Sequence, residues 1–187
     1  MKQDLIMKNY SKRSDILYSD FDTFTKLLES GGENIDAQFL TNRILKIFYG
    51  LDTKTARRLK QDQVDTLLEK ITAVLALPET PFKNIITMGG VQYGFIPNFG
   101  DITSGELIDI EDCYERQDYV SLTAILYRPL IGNINKLGEY VIEDYNGYDD
   151  KFKNISLDVV EGYMSLFTKS FLTLNHCILL SINKMKS

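Results

Sequence analysis

Two cysteines and one histidine are all that 187 residues supply of the side chains most used as metal ligands and nucleophiles. Cys113 and Cys177 lie far apart and form no CxxC pair, so neither a structural zinc motif nor a dithiol redox motif is written in the chain. Each reads as a small buried hydrophobe on a helix. The lone His176 falls inside an apolar stretch, where a core or interface role is expected before a general base. Basic residues are also in the minority. Twenty-one Lys and Arg against twenty-six Asp and Glu give a net charge of −5, which argues against a protein built to neutralise phosphates. No direct nucleic acid recognition is expected. The N-terminus "MKQDLIMKNYSKRSD" has no continuous apolar core followed by small residues, so no secretory signal is expected and synthesis in a reducing cytoplasm is.

What remains is ordinary globular composition. Hydrophobic residues at 44% and charged residues at 25% exclude wholesale disorder, and the length suits a single domain over residues 1–187.

The N-terminal half carries helical periodicity. In "SDFDTFTKLLES", Phe21, Phe24, Leu27 and Leu28 recur at helical spacing before Gly31-Gly32. The next run places Phe39, Leu40, Ile44, Ile47 and Phe48 on one face and stops at Gly50. Asp52 is a cap for a short helix, and Val64, Leu67, Leu68, Ile71, Val74 and Leu75 stripe a longer one that Pro78 closes. The basic stretch "KTARRLK" (Lys54 to Lys60) between them reads as a solvated helix face.

The period then changes. Ile85 to Met88 and Val91 to Ile96 flank Gly89-Gly90, which predicts a tight β-hairpin over about residues 85–96 that Pro97 ends. A phosphate-cradling role for "MGG" lacks the GxxxxGK[ST] spacing. The expected fold class is therefore mainly α, a helical domain with a small inserted β-hairpin.

After the hairpin comes "NFGDITSGELIDIEDCYERQDYVSLTAILYRPLIG". Thr103 and Glu106 have the T-x-x-E form of a capping box, and the carboxylates near the helix start suit its positive end. Leu107, Ile108, Ile110 and Tyr114 are expected to supply the apolar contacts, with Asp109, Asp112, Glu115 and Arg116 toward water. A sharper alternative makes Glu106, Asp109 and Asp112 a divalent-cation cluster within the acidic helix 101–115, because residues three apart share a helix face. No second segment offers matching ligands, and no catalytic, cofactor-binding or metal residue is assigned.

Asp118 is expected to start another helix, which buries Val120, Leu122, Ile125 and Leu126 before Arg128 and Pro129 break it. The aromatics of "GEYVIEDYNGYDDKF" read either as partner anchors or, more readily, as packing at a domain edge. Ser156 caps a long C-terminal helix over about residues 157–184, with Asp158 in its first turn. Tyr163 to Ile182 is long enough for a bilayer, but Lys169, Asn175 and His176 interrupt it, so burial among helices or in an interface is expected over a membrane span.

The succession "KIFYGLDTKTARRLKQDQVDTLLEKI", "VQYGFIPNFGDITSGELIDIEDC", "SLTAILYRPLIG" and "GYMSLFTKSFLTL" resembles a family of small virion and morphogenesis proteins of tailed bacteriophages, the crAss-like and related phages. The resemblance runs from about Leu40 to Leu174. Its best-defined elements are Tyr93-Gly94-Phe95-Ile96-Pro97, Gly105-Glu106-x-Ile108-Asp109 and Leu126-Tyr127-Arg128-Pro129. It implies a non-enzymatic structural or assembly protein, such as a connector or tail-region subunit or a packaged protein. The alternative it implies is an assembly chaperone that does not stay in the virion. Expected partners are other phage virion or assembly proteins and further copies of the chain; expected locations are the virion, or the host cytoplasm during assembly. Tyr93, Phe95, Glu106, Asp109, Tyr127 and Arg128 are expected to form one local structural cluster. Tyr93 and Phe95 share a strand face by alternation, and Arg128, at a helix end, is placed to reach an acidic residue or a partner's carboxylate.

Overall fold

The computed structural model describes residues 8–31, 36–148 and 150–167. It is mainly helical, with the hairpin region present. Its residues group into two compact units. One comprises the residues up to Glu79 together with Lys153–Asp158, and the other comprises Thr80–Phe152 and the residues from Val159.

The first unit is built from α1 (Tyr18–Gly31), α2 (Ala37–Tyr49), the single turn α3 (Thr53–Ala56) and α4 (Gln61–Leu75). Side-chain caps set the starts. Asp36 accepts from the Phe39 amide at 2.8 Å and Asp52 from the Thr55 amide at 2.7 Å, each satisfying an orphan donor of its helix. Gly50, at φ 67°, ends α2 in the left-handed region that a side chain disfavours. Val64, Leu67, Ile71 and Val74 of α4 are buried with Leu45 and Phe48 of α2, while Leu68 and Leu75 pack at the margin. Phe39 departs from its expected place. It is 48% exposed, with the Arg43 guanidinium 5.6 Å from its ring centroid, because the buried stripe of α2 runs through Leu45, Phe48 and Tyr49 instead.

Two polar contacts close this core. The Tyr49 hydroxyl donates to the Leu67 carbonyl at 2.7 Å, and Arg13 Nη1 donates to the Leu75 and Leu77 carbonyls, both at 2.9 Å. Arg13 thereby serves the carbonyl end of α4, where positive charge is favoured. Residues 153–158 complete the unit: the Tyr18 amide donates to the Ile155 carbonyl at 2.9 Å and the Leu157 amide to the Ile16 carbonyl at 2.8 Å.

The second unit carries β1 (Ile85–Met88), β2 (Val91–Phe95), α5 (Ser104–Glu115), α6 (Tyr119–Leu126), β3 (Tyr127–Ile131) and β4 (Val141–Ile142). Gly89 and Gly90 both have positive φ, as the tight turn between β1 and β2 requires. The hairpin is half of a larger sheet. The order is β1-β2-β3-β4, antiparallel throughout, with Tyr93 opposite Pro129, Gly94 opposite Arg128 and Phe95 opposite Tyr127.

β3 corrects the expectation that Arg128 ends a helix. Pro129 does stop α6, but a residue before proline favours extended backbone, so Tyr127 and Arg128 pass directly into a strand. Proline is tolerated inside this sheet because its N–H side faces short β4. There the Pro129 carbonyl accepts from the Glu143 amide at 2.9 Å, just past the end of β4.

The last helix is described over residues 157–167, where Leu157, Val160 and Tyr163 are buried. The rest of the expected helix to residue 184, with Lys169, Asn175, His176 and Cys177, lies outside the described residues. Among the described residues no helix is long and apolar enough to cross a membrane.

Gly94 is the tightest point of the sheet. A methyl added there would lie 2.5 Å from Tyr140 Cε2 and 2.6 Å from Leu130 Cδ2. The Tyr140 ring has little freedom to retreat, since its hydroxyl donates to the Phe95 carbonyl at 2.9 Å. Gly94→Ala is therefore expected to lower stability by about 1–3 kcal/mol. Urea unfolding checks this; a midpoint equal to that of the unsubstituted chain would contradict the packing described.

Candidate functional site

The cap of α5 comes first because it fixes the carboxylate at the centre of the site. Thr103 Oγ1 accepts from the Glu106 amide at 3.2 Å, and Glu106 Oε2 accepts from the Thr103 amide at 2.8 Å, the reciprocal pair that T-x-x-E encodes. The second oxygen turns inward. Glu106 Oε1 lies 3.0 Å from Arg128 Nη1 on β3, with the two side chains 3% and 14% exposed. The pair is thus a buried salt bridge. It is a charge contact and not a bidentate fork: neither Glu106 Oε1 nor Arg128 Nε has a well-directed hydrogen-bond partner.

A second link runs parallel to it. The Tyr145 hydroxyl donates to Asp109 Oδ2 at 2.6 Å, and its ring lies 6.0 Å from the Arg128 guanidinium carbon. Burial, and then the bond to Asp109, push the Tyr145 hydroxyl well above its usual range, so it remains a proton donor.

On the other face of β2, Tyr93 and Phe95 share a side by strand alternation, and both are buried. Phe95 meets Tyr127 edge to face at 5.1 Å and Phe82 at 4.8 Å, while Tyr93 meets Phe152 at 5.0 Å. The Tyr127 hydroxyl donates to the Lys83 carbonyl at 2.6 Å. All six residues singled out from the sequence, Tyr93, Phe95, Glu106, Asp109, Tyr127 and Arg128, therefore lie on β2, β3 and α5. Glu106 and Arg128 are joined directly, Phe95 and Tyr127 meet edge to face, Asp109 reaches Arg128 through Tyr145, and the ring of Tyr93 meets Phe152.

The orientation of α5 departs in part from the expected division of its faces: Asp112, Glu115 and Arg116 are exposed and Ile110 is half-buried as expected, but Asp109 turns inward. Glu106 and Cys113 are buried and Asp109 and Ile110 half-buried, one stripe at i, i+3, i+4 and i+7. Leu107, Ile108 and Tyr114, expected to supply the apolar contacts, are 49%, 64% and 55% exposed. The physical reason is the pair of polar anchors. With Glu106 tied to Arg128 and Asp109 to Tyr145, these positions must face the unit, and the apolar residues between them turn outward.

The same anchors dispose of the carboxylates. Asp112 Oδ2 pairs with Arg116 at 2.8 Å, so Glu106, Asp109 and Asp112 engage three different partners. Among the described residues, no group of three or more His, Cys, Asp and Glu side chains stands ready to hold a metal ion. Burial raises the Cys113 thiol, outweighing the opposing contacts from Arg116, 3.7 Å from the sulfur, and from Tyr148, which disfavours thiolate chemistry. A cavity of about 240 Å³ opens beside β3, lined in part by Tyr93, Arg128, Glu143, Asp144, Tyr148 and Lys151. Two acids and two bases line it, with no excess of one sign to select a charged ligand.

Tyr140 and Tyr145 escaped assignment to the site from sequence. Only their Tyr-rich surroundings signalled them, and that composition leaves their contacts undetermined. No family model, no curated protein and no solved structure matches the chain.

Removing Arg128 while leaving Glu106 buried is expected to cost about 3 kcal/mol, the lower end for a broken buried pair because the contact is not bidentate. Adding Glu106→Gln to Arg128→Met should recover part of that loss. Chemical denaturation of the single and double variants reads the coupling, and strictly additive effects would contradict a direct link.

Proposed function

We propose that this chain is a non-enzymatic structural or assembly protein of a tailed bacteriophage. On this reading it is a connector or tail-region subunit or a packaged protein, and it acts through protein-protein contacts. The support comes from the convergence of the three motifs that carry the family resemblance. Tyr93-Gly94-Phe95-Ile96-Pro97 and Leu126-Tyr127-Arg128-Pro129 supply paired strands, and Gly105-Glu106-x-Ile108-Asp109 supplies the helix tied to them through Glu106. Their polar side chains are used to hold elements together, and the apolar side chains between them are offered outward. That arrangement suits a scaffold for contacts better than a reaction centre.

The partners in this reading are other virion or assembly proteins, with self-association as part of the same role. The location is the virion, or the host cytoplasm while particles are being built.

Quantitative mass spectrometry of purified particles beside infected-cell lysate tests the reading. A fixed copy number per major capsid subunit, matching a ring symmetry, is the expected result. Presence in lysate with absence from particles would replace the virion subunit by an assembly chaperone, and turnover of a substrate by the purified chain would overturn the non-enzymatic reading altogether.

A further inference from the structure

The outward face of α5 is both apolar and acidic. Leu107, Glu111 and Tyr114 follow one another at i, i+4 and i+7, and Ile108, Asp112 and Glu115 form the adjacent row. All six are exposed. Between Asp101 and Glu115 the chain has six carboxylates, Asp101, Glu106, Asp109, Glu111, Asp112 and Glu115, and no Lys or Arg. Glu106 and Asp109 are engaged by internal contacts and Asp112 pairs with Arg116, which leaves Glu111 and Glu115 on the face that carries exposed Leu107, Ile108 and Tyr114.

The first unit carries the opposite sign. From Thr53 to Gln61 there are four basic residues, Lys54, Arg57, Arg58 and Lys60, with no acid, and all four are exposed. Beside them lies a groove of about 290 Å³ whose floor includes Leu59, Val64 and Leu68 and whose rim includes Arg57. Asp65, also on that rim, accepts from Gln61 Nε2 at 2.8 Å and keeps its charge, so the basic excess lies along Lys54, Arg58 and Lys60 beside the groove. The volume is ample for one branched aliphatic side chain entering as a knob.

We propose that α5 of one copy docks into this groove on a second copy. Ile108 enters beside Leu59, Val64 and Leu68, and Glu111 and Glu115 face Lys54, Arg57, Arg58 and Lys60. Charge complementarity selects the occupant: an acidic helix with exposed apolar side chains, and a groove of mixed lining next to an exposed basic stretch, belong to the same polypeptide. The contact uses different surfaces on the two copies, so it is heterologous and propagates into a ring or an open filament. This deepens the assembly reading proposed above and rests on it.

Sedimentation velocity of the purified full chain tests the contact at about 10–300 µM protein, a range suited to a small interface. Wild type is expected to grow beyond a dimer as concentration rises. The association should weaken about tenfold between about 0.05 and 0.5 M salt, because exposed charges are screened. Glu111→Lys with Glu115→Lys, and separately Arg57→Glu with Arg58→Glu, are expected to give monomers with unchanged circular dichroism, since every substituted residue is exposed. Mixed in equal amounts, the two variants should associate again, because the intact α5 of one meets the intact groove of the other and the reversed charges on the remaining pair of surfaces also complement each other. An Ile108→Asp variant should stay monomeric at low salt.

Wild type that remains monomeric throughout, or single variants that associate as wild type does, or a mixture that stays monomeric, would each overturn the proposal. None of these results alters the copy number found in particles, so failure of this contact is distinguishable from failure of the assembly role.

Discussion

The salt bridge between Glu106 and Arg128 is the constraint on which the second unit turns. A carboxylate taken out of water must find compensating charge and hydrogen bonds, and Glu106 finds both by closing the N-terminal cap of α5 with one oxygen and meeting Arg128 with the other. One residue thus starts a helix and joins it to a strand. Because the contact fixes the azimuth of α5, Cys113 follows Glu106 into the interior two turns further along the same stripe, and Leu107 and Ile108 are left facing water.

Exposed apolar side chains on a charged helix are unusual as fold elements and useful as contact elements. The fold does not need Ile108 for its core; that is supplied on the opposite sheet face by Phe95, Tyr127 and Tyr163, and in the first unit by α2 and α4. A basic, groove-bearing surface on the first unit and an acidic surface with exposed apolar side chains on the second are the two halves of the proposed contact. The net charge of −5 conceals this division, since composition averages over surfaces of opposite sign.

Features governed by neighbouring residues were legible in the sequence. The Thr103-Glu106 capping box, the Asp52 and Asp118 caps and the Gly89-Gly90 turn each depend on residues within a few positions, and each occurs where the pattern placed it. The α4 stripe was readable for the same reason. What local pattern did not carry was set by distant partners. β3 reads as a helix end because Pro129 gives only the stop signal, while its pairing with β2 depends on residues over thirty positions away. The facing of α5 was misread because hydrophobic periodicity assumes that apolar residues choose the buried side. Here a carboxylate with a cationic partner on another element decided it, and the link from Asp109 to Tyr145 reinforced the choice.

Thiol labelling reads the facing of α5 directly. In a Cys177→Ser background, Cys113 should react slowly and an Ile108→Cys thiol rapidly, and Arg128→Met should narrow the ratio by exposing Cys113. A slow Ile108→Cys thiol, or a ratio unmoved by Arg128→Met, would contradict the claim that the Glu106–Arg128 pair sets which side of α5 meets water.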